Sequence, residues 1–244
     1  MSNHPRLYNE LAYLWPIISP PGEYAGEADC WREVLQDKLG PGRHHILELG
    51  AGGGHNLSYL TQDFQATAVD ISPEMLSLSR KLNPEVQHHL GDMRTVRLEL
   101  SFDGVFIHDA ISYMLTESDL SATFETAKMH LRPGGVLLLV PDWVQEVFPG
   151  TADFNWVREV DGVRVSIQEH LHDPDSSDTQ IESRYCYTIR DNGGVRVEHD
   201  THTTGLFPIT TWERLLEESG FQVETLRVPG NEGGYGGILF VGAL

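Results

Sequence analysis

The sequence predicts an α/β fold, in which a doubly wound, mostly parallel seven-stranded sheet carries an antiparallel β-sheet inserted late in the chain. Over residues 46–142, β-branched runs alternate with helical ones, as a doubly wound parallel sheet requires. Over residues 154–204 the apolar residues instead alternate with polar ones, which is typical of half-buried antiparallel strands. The dipeptides Asp161-Gly162 and Asn192-Gly193 separate such runs and predict tight hairpin turns.

The chain divides into three predicted parts. Residues 1–42 form a helical cap segment, which is interrupted by prolines and is therefore expected to run helix, loop, helix. Residues 43–150 and 206–244 form the core, and residues 151–205 form the inserted antiparallel sheet. Because ligands bind outside the carboxyl ends of parallel strands, a sheet inserted after the fifth strand is expected to cover a bound ligand as a lid.

The elements of the core follow in order along the chain. The fourth strand is predicted over residues 102–108, a long helix over residues 118–131, and the fifth strand up to Val140. The last helix is predicted to be capped at Thr210, with Glu213 completing a capping box. The apolar stretches after that helix predict a closing hairpin.

The composition of the chain argues against several classes of partner. Its 244 residues carry a formal net charge of −19, with 17 basic residues and no basic run, so no nucleic-acid partner is expected. No apolar run is long enough to span a bilayer and no signal segment is visible, so we expect no membrane partner and a cytoplasmic location. Cys30 and Cys186 lie far apart, and the histidines lack the spacing of a metal site, so no metal is predicted.

A glycine-rich turn follows the first strand, where residues 48–55 read E-L-G-A-G-G-G-H. Without a Cβ, Gly50 and Gly52 let backbone amides approach a ligand, and the helix that follows adds a partial positive charge. Asp70 closes the next apolar run about 20 residues later, where an acid suits the hydroxyls of a ribose. The turn therefore predicts a nucleoside site. A dinucleotide site would have glycine or alanine where this chain has His55, which weakens that alternative.

The same turn resembles motif I of the class I S-adenosylmethionine-dependent methyltransferases, an acidic residue followed by G-x-G-x-G, which Glu48 and the glycines after it match. Residues 70–76, D-I-S-P-E-M-L, resemble the second motif of that family, and residues 91–93, G-D-M, resemble the third. Residues 131–140, which begin L-R-P-G-G, are similar to the family's turn and fifth strand. Because the matches occur in the family's order, the resemblance implies its Rossmann-like methyltransferase fold and its cofactor, S-adenosyl-L-methionine.

The resemblance also implies which residues bind that cofactor. Asp70 would hold the ribose hydroxyls, Ile71 would pack on the adenine, and Asp92 would accept a hydrogen bond from the adenine amino group. Tyr8 matches the family's common opening, whereas the second tyrosine of that opening is Trp15 here, so no cofactor contact is assigned to it. The implied cofactor-binding residues are Tyr8, Glu48, Gly50, Ala51, Gly52, Asp70, Ile71, Met75, Asp92, Met93 and His108.

The residues just after the fourth strand are the candidates for contact with the methyl acceptor. His108 is expected near the sulfonium end of the cofactor, through its backbone. Tyr113 falls where the sugar-amine and glycine N-methyltransferase-like group of the family places a polar ring beside the acceptor, although it could equally be a core aromatic. Asp109 could attract an ammonium group or cap the following turn, and the cap is the favoured interpretation. His108 and Tyr113 are thus the candidate catalytic residues. Further polar rings are expected around the acceptor at His170, His172 and His202.

The predicted function is transfer of a methyl group from S-adenosylmethionine to a small polar acceptor, an amine or a hydroxyl, by in-line displacement. An enzyme of this kind aligns the nucleophile behind an activated methyl group, and proximity and orientation supply much of the rate acceleration. Two alternatives stay open: an aminopropyl transferase that uses the decarboxylated cofactor, and a non-catalytic regulator that binds S-adenosylmethionine or another nucleoside. The acceptor, its attacking atom, the need for a general base and the oligomeric state do not follow from the sequence.

Overall fold

The computed structural model describes residues 5–227 and 237–244. The strands are β1 (His45–Leu49), β2 (Gln65–Asp70), β3 (Gln87–Leu90), β4 (Phe102–His108), β5 (Leu131–Val140), β6 (Thr151–Val160), β7 (Val163–His172), β8 (Gln180–Asp191), β9 (Gly194–Gly205), β10 (Gln222–Arg227) and β11 (Ile238–Ala243). The α-helices are α1 (Trp15–Ile18), α2 (Ala25–Leu39), α3 (Leu57–Leu60), α4 (Pro73–Leu82), α5 (Glu117–His130) and α6 (Ile209–Glu218). Short 3-10 helices span Arg6–Tyr8, Ala12–Leu14, Pro21–Tyr24 and Ala110–Tyr113. Within these described ranges, no helix is long and apolar enough to cross a membrane.

The core is a seven-stranded sheet with the strand order β10-β11-β5-β4-β1-β2-β3. Strands β1 to β5 pair in parallel, whereas β11 pairs antiparallel with both β5 and β10. Because helices cover both faces of such a sheet, its inner strands are near-continuous apolar runs. In β5, Leu137 and Leu139 belong to the apolar cluster that contains α5 and α6, while Val136 and Leu138 belong to the one that contains α2 and α3.

Strands β6 to β9 form a separate antiparallel sheet, which we call the lid after the role predicted for it. The turn between β6 and β7 has positive φ angles at both Asp161 and Gly162, 51° and 79°, as a two-residue hairpin turn of the predicted kind requires. Buried lid residues such as Ile167 pack against Leu11 and Leu14 of the N-terminal segment. The predicted fold class is confirmed, including the inserted antiparallel sheet. The division into a cap, a core and a lid at the predicted boundaries remains a proposal.

The predicted cap of the last helix is wrong. Helix α6 begins at Ile209, and its N-cap residue, Pro208, offers no side-chain cap. The Ile209 N–H instead donates to the carboxylate oxygens of Glu146, at 3.0 and 3.1 Å. Glu213 accepts a hydrogen bond from the Thr225 hydroxyl at 2.7 Å, so it takes no part in a capping box. An acid brought in from the segment after β5 has therefore replaced the local cap expected at Thr210.

Candidate active site

A cavity of about 670 Å³ lies where the carboxyl ends of the parallel strands face the lid and the N-terminal segment. It is lined by every residue that the sequence assigned to cofactor or catalysis: Tyr8, Glu48, Gly50, Ala51, Gly52, Asp70, Ile71, Met75, Asp92, Met93, His108 and Tyr113. We call the side of the cavity that is lined by residues between 48 and 93 the turn side. The lid side is lined by Tyr8, Asp109, Tyr113, Asp142, Glu169, Tyr185, Tyr187 and His202.

On the turn side, the glycine-rich turn is tied to the end of β2. The N–H groups of Gly50 and Ala51 donate to the Val69 carbonyl at 2.8 and 3.0 Å. Gly50 has a φ of 77°, and a Cβ at this position would collide with the Cβ of Ala110. The turn therefore lies directly against the segment that follows β4, and this close approach requires glycine.

The Asp70 carboxylate shapes the same turn. Its Oδ2 accepts the Gly52 N–H at 2.7 Å, and its Oδ1 accepts the Ser72 N–H at 2.8 Å. Burial raises the pKa of Asp70, and hydrogen bonds from backbone amides oppose that rise. Asp70 thus braces the turn as well as lining the cavity, a structural role that the sequence analysis missed.

Glu48 supplies a buried carboxylate that faces the cavity. Only 3% of the residue is exposed, and its Oε2 has no hydrogen-bond partner among the described residues. Burial raises the pKa of Glu48 well above its usual range, while the positive charge of His108 opposes the rise. A buried polar oxygen without a partner is costly, so this site favours a ligand that brings a positive hydrogen-bond donor. The amino group of S-adenosylmethionine is such a donor, and the residues present therefore fit that cofactor.

The far end of the turn side combines an apolar surface with an ion pair. Ile71 is 46% exposed where it lines the cavity, which suits the face of a flat base. Asp92 accepts from Arg94, with Nη2 to Oδ2 at 2.6 Å, and Arg94 also donates to Asp119 at 2.7 Å. Asp92 is therefore fixed in position beside the cavity, and the guanidinium of Arg94 is paired with both Asp92 and Asp119.

On the lid side, Tyr113 joins three parts of the chain. Its hydroxyl donates to the Tyr8 hydroxyl at 3.0 Å and lies 2.8 Å from His202 Nδ1. His202 Nε2 in turn lies 3.1 Å from Asp200 Oδ2, which also accepts the Leu7 N–H at 2.8 Å. Burial raises the pKa of Tyr113 well above its usual value, so its hydroxyl stays neutral. Tyr113 is therefore placed to position a ligand rather than to remove a proton from it.

The side chain of His108 is held by two acids. Its Nε2 lies 2.8 Å from Glu27 Oε1 and 3.1 Å from Asp109 Oδ1. Burial lowers the pKa of His108, but the charge of Glu27, the hydrogen bond to Glu27 and the charges of Asp142 and Glu48 together outweigh burial, so the net shift is upward. The imidazole is thus occupied with Glu27 and Asp109, while the residue still lines the cavity at the end of β4.

Asp109 pairs with Asp142, so its interpretation as a cap is wrong. The 3-10 helix that follows has no side-chain capping bond, and the Asp109 carboxyl is instead hydrogen-bonded to the Asp142 carboxyl. Burial raises the pKa of Asp109 to about 7, assisted by the charge of Glu27. Burial also raises the pKa of Asp142 well above its usual range, and the negative charge of Asp109 raises it further. Because Asp142 lies two residues beyond the carboxyl end of β5, the rule for ligand sites in parallel sheets could have identified it.

Two of the predicted acceptor-side histidines lie outside the cavity. Neither His170 nor His172 lines it; His170 Nδ1 lies 2.8 Å from Asp153 Oδ1 on the neighbouring strand. Successive side chains of a strand point to opposite faces, and Ile167, Glu169 and Leu171 are the described members of β7 that line the cavity. Only His202 among the three predicted rings lines the site within the part of the chain that the structure describes.

Comparison with known proteins identifies the family. A family described as a methyltransferase domain matches residues 46–135. The dTDP-3-amino-3,4,6-trideoxy-alpha-D-glucopyranose N,N-dimethyltransferase of Streptomyces venezuelae is 33% identical over 224 residues, which cover 90% of this chain and 91% of that protein. The chain belongs to the class I S-adenosylmethionine-dependent methyltransferases. Its cofactor is S-adenosylmethionine and its activity is methyl transfer, as the sequence predicted.

Solved structures of methyltransferases share the whole architecture. The crystal structure of Streptomyces venezuelae DesVI matches with a TM-score of 0.82 at 29% identity, covering 96% of this chain and 95% of that one. The sugar N-methyltransferase KedS8 of a Streptoalloteichus species matches with a TM-score of 0.83 at 26% identity, covering 96% and 91%. The likeness therefore includes the lid as well as the core. These findings do not favour an aminopropyl transferase or a non-catalytic regulator.

Proposed function

We propose that this methyltransferase acts on an amino group of a small, sugar-like molecule. The Streptomyces venezuelae relative and KedS8 are both named for N-methylation, the former on an amino sugar. The observation that carries the proposal is the lid side of the cavity, where carboxyl and hydroxyl groups converge next to the glycine-rich turn. Such groups accept hydrogen bonds from an amine and so can orient its nitrogen.

In this proposal the turn side holds the cofactor. The Glu48 carboxylate pairs with the amino group of its methionine part, Asp70 binds the ribose hydroxyls, and Asp92 binds the adenine amino group. The backbone of the glycine-rich turn approaches closely, while apolar side chains flank the base. The further cofactor contacts proposed are Gly50, Ala51, Gly52, Ile71, Met75 and Met93 on the turn side, with Tyr8 from the lid side and His108 at the end of β4. The bound cofactor supplies a methyl group that a sulfonium has already activated.

The two candidate catalytic residues take different roles. Tyr113 positions the acceptor through its neutral hydroxyl, which Tyr8 and His202 hold in place. His108 contributes its backbone near the methyl donor, because Glu27 and Asp109 hold its imidazole. Alignment of the nitrogen lone pair with the methyl group supplies most of the acceleration, and the lid excludes water from the reacting atoms.

The proposal also includes the partners and the compartment. A lid limits access to molecules small enough to fit beneath it, and a formal net charge of −19 repels polyanions such as nucleic acid. A small-molecule substrate is therefore proposed, with neither nucleic acid nor membrane as a partner. Both cysteines are free thiols, which supports the reducing environment of the cytoplasm.

The experiment is a screen of small molecules for conversion of S-adenosylmethionine to S-adenosylhomocysteine. The panel pairs each amine with the hydroxyl compound of the same skeleton, and mass spectrometry locates the added methyl group. We expect methylation at nitrogen in amino sugars. Methylation of the hydroxyl compounds alone, or efficient methylation of duplex DNA or tRNA at moderate salt, would contradict the proposal.

A further inference from the structure

A chain of hydrogen bonds leads from the wall of the cavity into the lid. Tyr113 and His202 both line the cavity, whereas Asp200 lies behind His202 and does not line it. The Tyr113 hydroxyl lies 2.8 Å from His202 Nδ1, and His202 Nε2 lies 3.1 Å from Asp200 Oδ2. The side chains of His202 and Asp200 are only 5% and 4% exposed. The chain therefore joins a hydroxyl of the cavity to a buried imidazole and a buried carboxylate.

The Asp200 carboxylate determines which nitrogen of His202 carries a proton. Burial raises the pKa of Asp200, but the hydrogen bond and charge of His202 and the backbone amides of Leu7 and Arg6 together lower it by more, so the carboxyl group is ionised. An ionised carboxylate only accepts hydrogen bonds, so His202 Nε2 must carry a proton. In the neutral imidazole Nδ1 is then an acceptor, and it faces the Tyr113 hydroxyl.

The Tyr113 hydroxyl has one proton and two neighbours, because it lies 3.0 Å from the Tyr8 hydroxyl as well as 2.8 Å from His202 Nδ1. When Tyr113 donates to Tyr8, Nδ1 must donate to Tyr113, so this arrangement belongs to the protonated imidazole. When the imidazole is neutral, the directions reverse: Tyr113 donates to Nδ1 and accepts from Tyr8. In both arrangements the Tyr113 oxygen can accept one further hydrogen bond, from a ligand in the cavity.

Methylation of an amine requires that a proton be removed from nitrogen. An alkyl amine is mostly protonated at neutral pH, as the ordinary pKa of about 10.4 for the lysine side chain illustrates. One N–H bond of the ammonium group must therefore break before the nitrogen can attack the methyl group. Tyr113 cannot keep that proton as a base would, because burial raises its pKa well above the usual value and its hydroxyl is already protonated. The proton needs an acceptor beyond Tyr113.

We propose that His202 accepts the proton of the substrate's ammonium group and that the Tyr113 hydroxyl passes it on. The N–H bond of the ammonium group breaks and its proton binds the Tyr113 oxygen, while the Tyr113 O–H proton moves to His202 Nδ1. The amine keeps the electron pair that attacks the methyl group, and Tyr113 is neutral before and after the step. Asp200 stabilises the imidazolium, which returns the proton to water when the product leaves. This inference rests on the proposed N-methyltransferase function.

The surroundings of His202 suit a group that becomes positively charged. The titratable groups in contact with it are the rings of Tyr8, Tyr113 and Tyr185 and the carboxylate of Asp200. One contact further away, Glu169 accepts from the Tyr185 hydroxyl at 2.9 Å. Arg6, in the same short helix as Tyr8, is paired with Glu10 and Glu198. The negative charges of Asp200 and Glu169 therefore stabilise an imidazolium at this place.

The main test is the pH profile of His202→Gln, in which the side chain can form hydrogen bonds but cannot take up a proton. The probe is dTDP-3-amino-3,4,6-trideoxy-alpha-D-glucopyranose, for which the Streptomyces venezuelae relative is named, or whichever amino sugar of the screening panel the wild type methylates faster. We expect kcat/KM to be about tenfold below the wild type at about pH 7 and within about twofold at about pH 9, because the share of neutral amine rises with pH. His170→Gln is the control, since His170 lies on the lid with 46% of its side chain exposed and does not line the cavity.

The shape of the profile separates the possible outcomes. A loss of the same size at every pH would mean that His202 only supports the structure, and an unchanged profile would mean that it takes no part. Either result would overturn the inference while leaving N-methylation intact. Methylation of hydroxyl compounds alone, or of no compound in the panel, would instead overturn the proposed function, and the inference with it.

A double variant tests whether Tyr113 and His202 act in one path. Tyr113→Phe and His202→Gln interrupt the same path, so together they should lose about tenfold in kcat/KM at about pH 7, whereas independent losses would multiply to about 100-fold. Affinity for S-adenosylhomocysteine, measured by calorimetry, should stay within about twofold of the wild type. If His202→Gln fails to bind it, Asp200→Asn replaces that variant, because its amide oxygen still accepts the Leu7 N–H. Multiplied losses, or a pH-independent loss in Asp200→Asn, would overturn the inference.

Discussion

The turn side and the lid side of the cavity are built in different ways. The turn side comes from one continuous stretch, residues 48–93, and uses glycines and backbone amides. The lid side is assembled from Tyr8, Tyr113, Asp142 and His202, which are far apart in the sequence, and uses titratable side chains. A backbone of fixed shape suits a ligand that is the same for every member of a family, such as a cofactor. Side chains can be substituted to bind a different acceptor. We propose that this difference separates a cofactor site from a substrate site within one cavity.

The largest expected effect is on the turn side. In Gly50→Ala, the new Cβ would collide with Ala110 and sit at a φ of 77°, so we expect affinity for S-adenosylmethionine to fall by at least about 100-fold. Gly134→Ala is the matched control, because Gly134 has a φ of 81° but no atom within 4 Å of an added Cβ. Calorimetry should show the loss in Gly50→Ala alone. Equal losses in both variants would mean that backbone strain, not the close approach, is responsible.

Asp70→Ala should have the next largest effect. It removes the acceptor of the Gly52 and Ser72 amides as well as the proposed ribose contact, so cofactor binding should weaken by about 1.5–3 kcal/mol. Asp70→Asn keeps one carbonyl acceptor and should lose less. Titration calorimetry with S-adenosylmethionine measures both. Unchanged affinity in Asp70→Ala would remove this residue from the cofactor site.

Tyr113→Phe tests whether the two sides are separable. We expect kcat/KM for the acceptor to fall about tenfold while cofactor affinity stays within about twofold, because only the lid side loses a hydrogen bond. Tyr13→Phe is the control, since Tyr13 is 50% exposed and its hydroxyl binds Arg196 rather than the cavity. If cofactor affinity falls in step with turnover, Tyr113 belongs to the cofactor contacts.

The smallest effect concerns pH and the Asp109 carboxyl. Its pKa of about 7 lies above the value of about 3.9 expected in the unfolded chain, so the folded protein binds this proton more tightly. The stability that the proton gives is therefore lost as the pH rises from about 4 to about 7. The Asp109 side chain is 41% exposed, so solvent screening reduces the effect, and relative to Asp109→Asn the melting temperature of the wild type should fall by about 2–4 °C over that range. The same comparison with Asp37→Asn, whose side chain is 77% exposed in the wild type, should show no such trend. If the difference in melting temperature between the wild type and Asp109→Asn does not change with pH, the Asp109 carboxyl is solvated by water.

The contrast between the turn side and the lid side also explains which features the sequence predicts. The sequence predicts the core strands and the turn side because their signals are local: apolar runs, glycines and an acid at fixed spacing. Alternation in β7 shows which residues share a face but not which face is inner, so His170 was placed at the acceptor where the structure has Glu169. Asp142 and the carboxylate of Glu146 act through partners distant in the chain, and no local pattern shows such contacts.

Strand β11 lies between β5 and β10, although the whole lid and α6 separate it from β5 in the chain. Closing so long a connection costs more entropy than closing a hairpin, so contacts within the lid can form early and the β5–β11 pairing late. Until β11 arrives, β5 is an unpaired edge with leucines on both faces, which is a template for association with other chains. The yield of folded enzyme on refolding should therefore depend steeply on protein concentration.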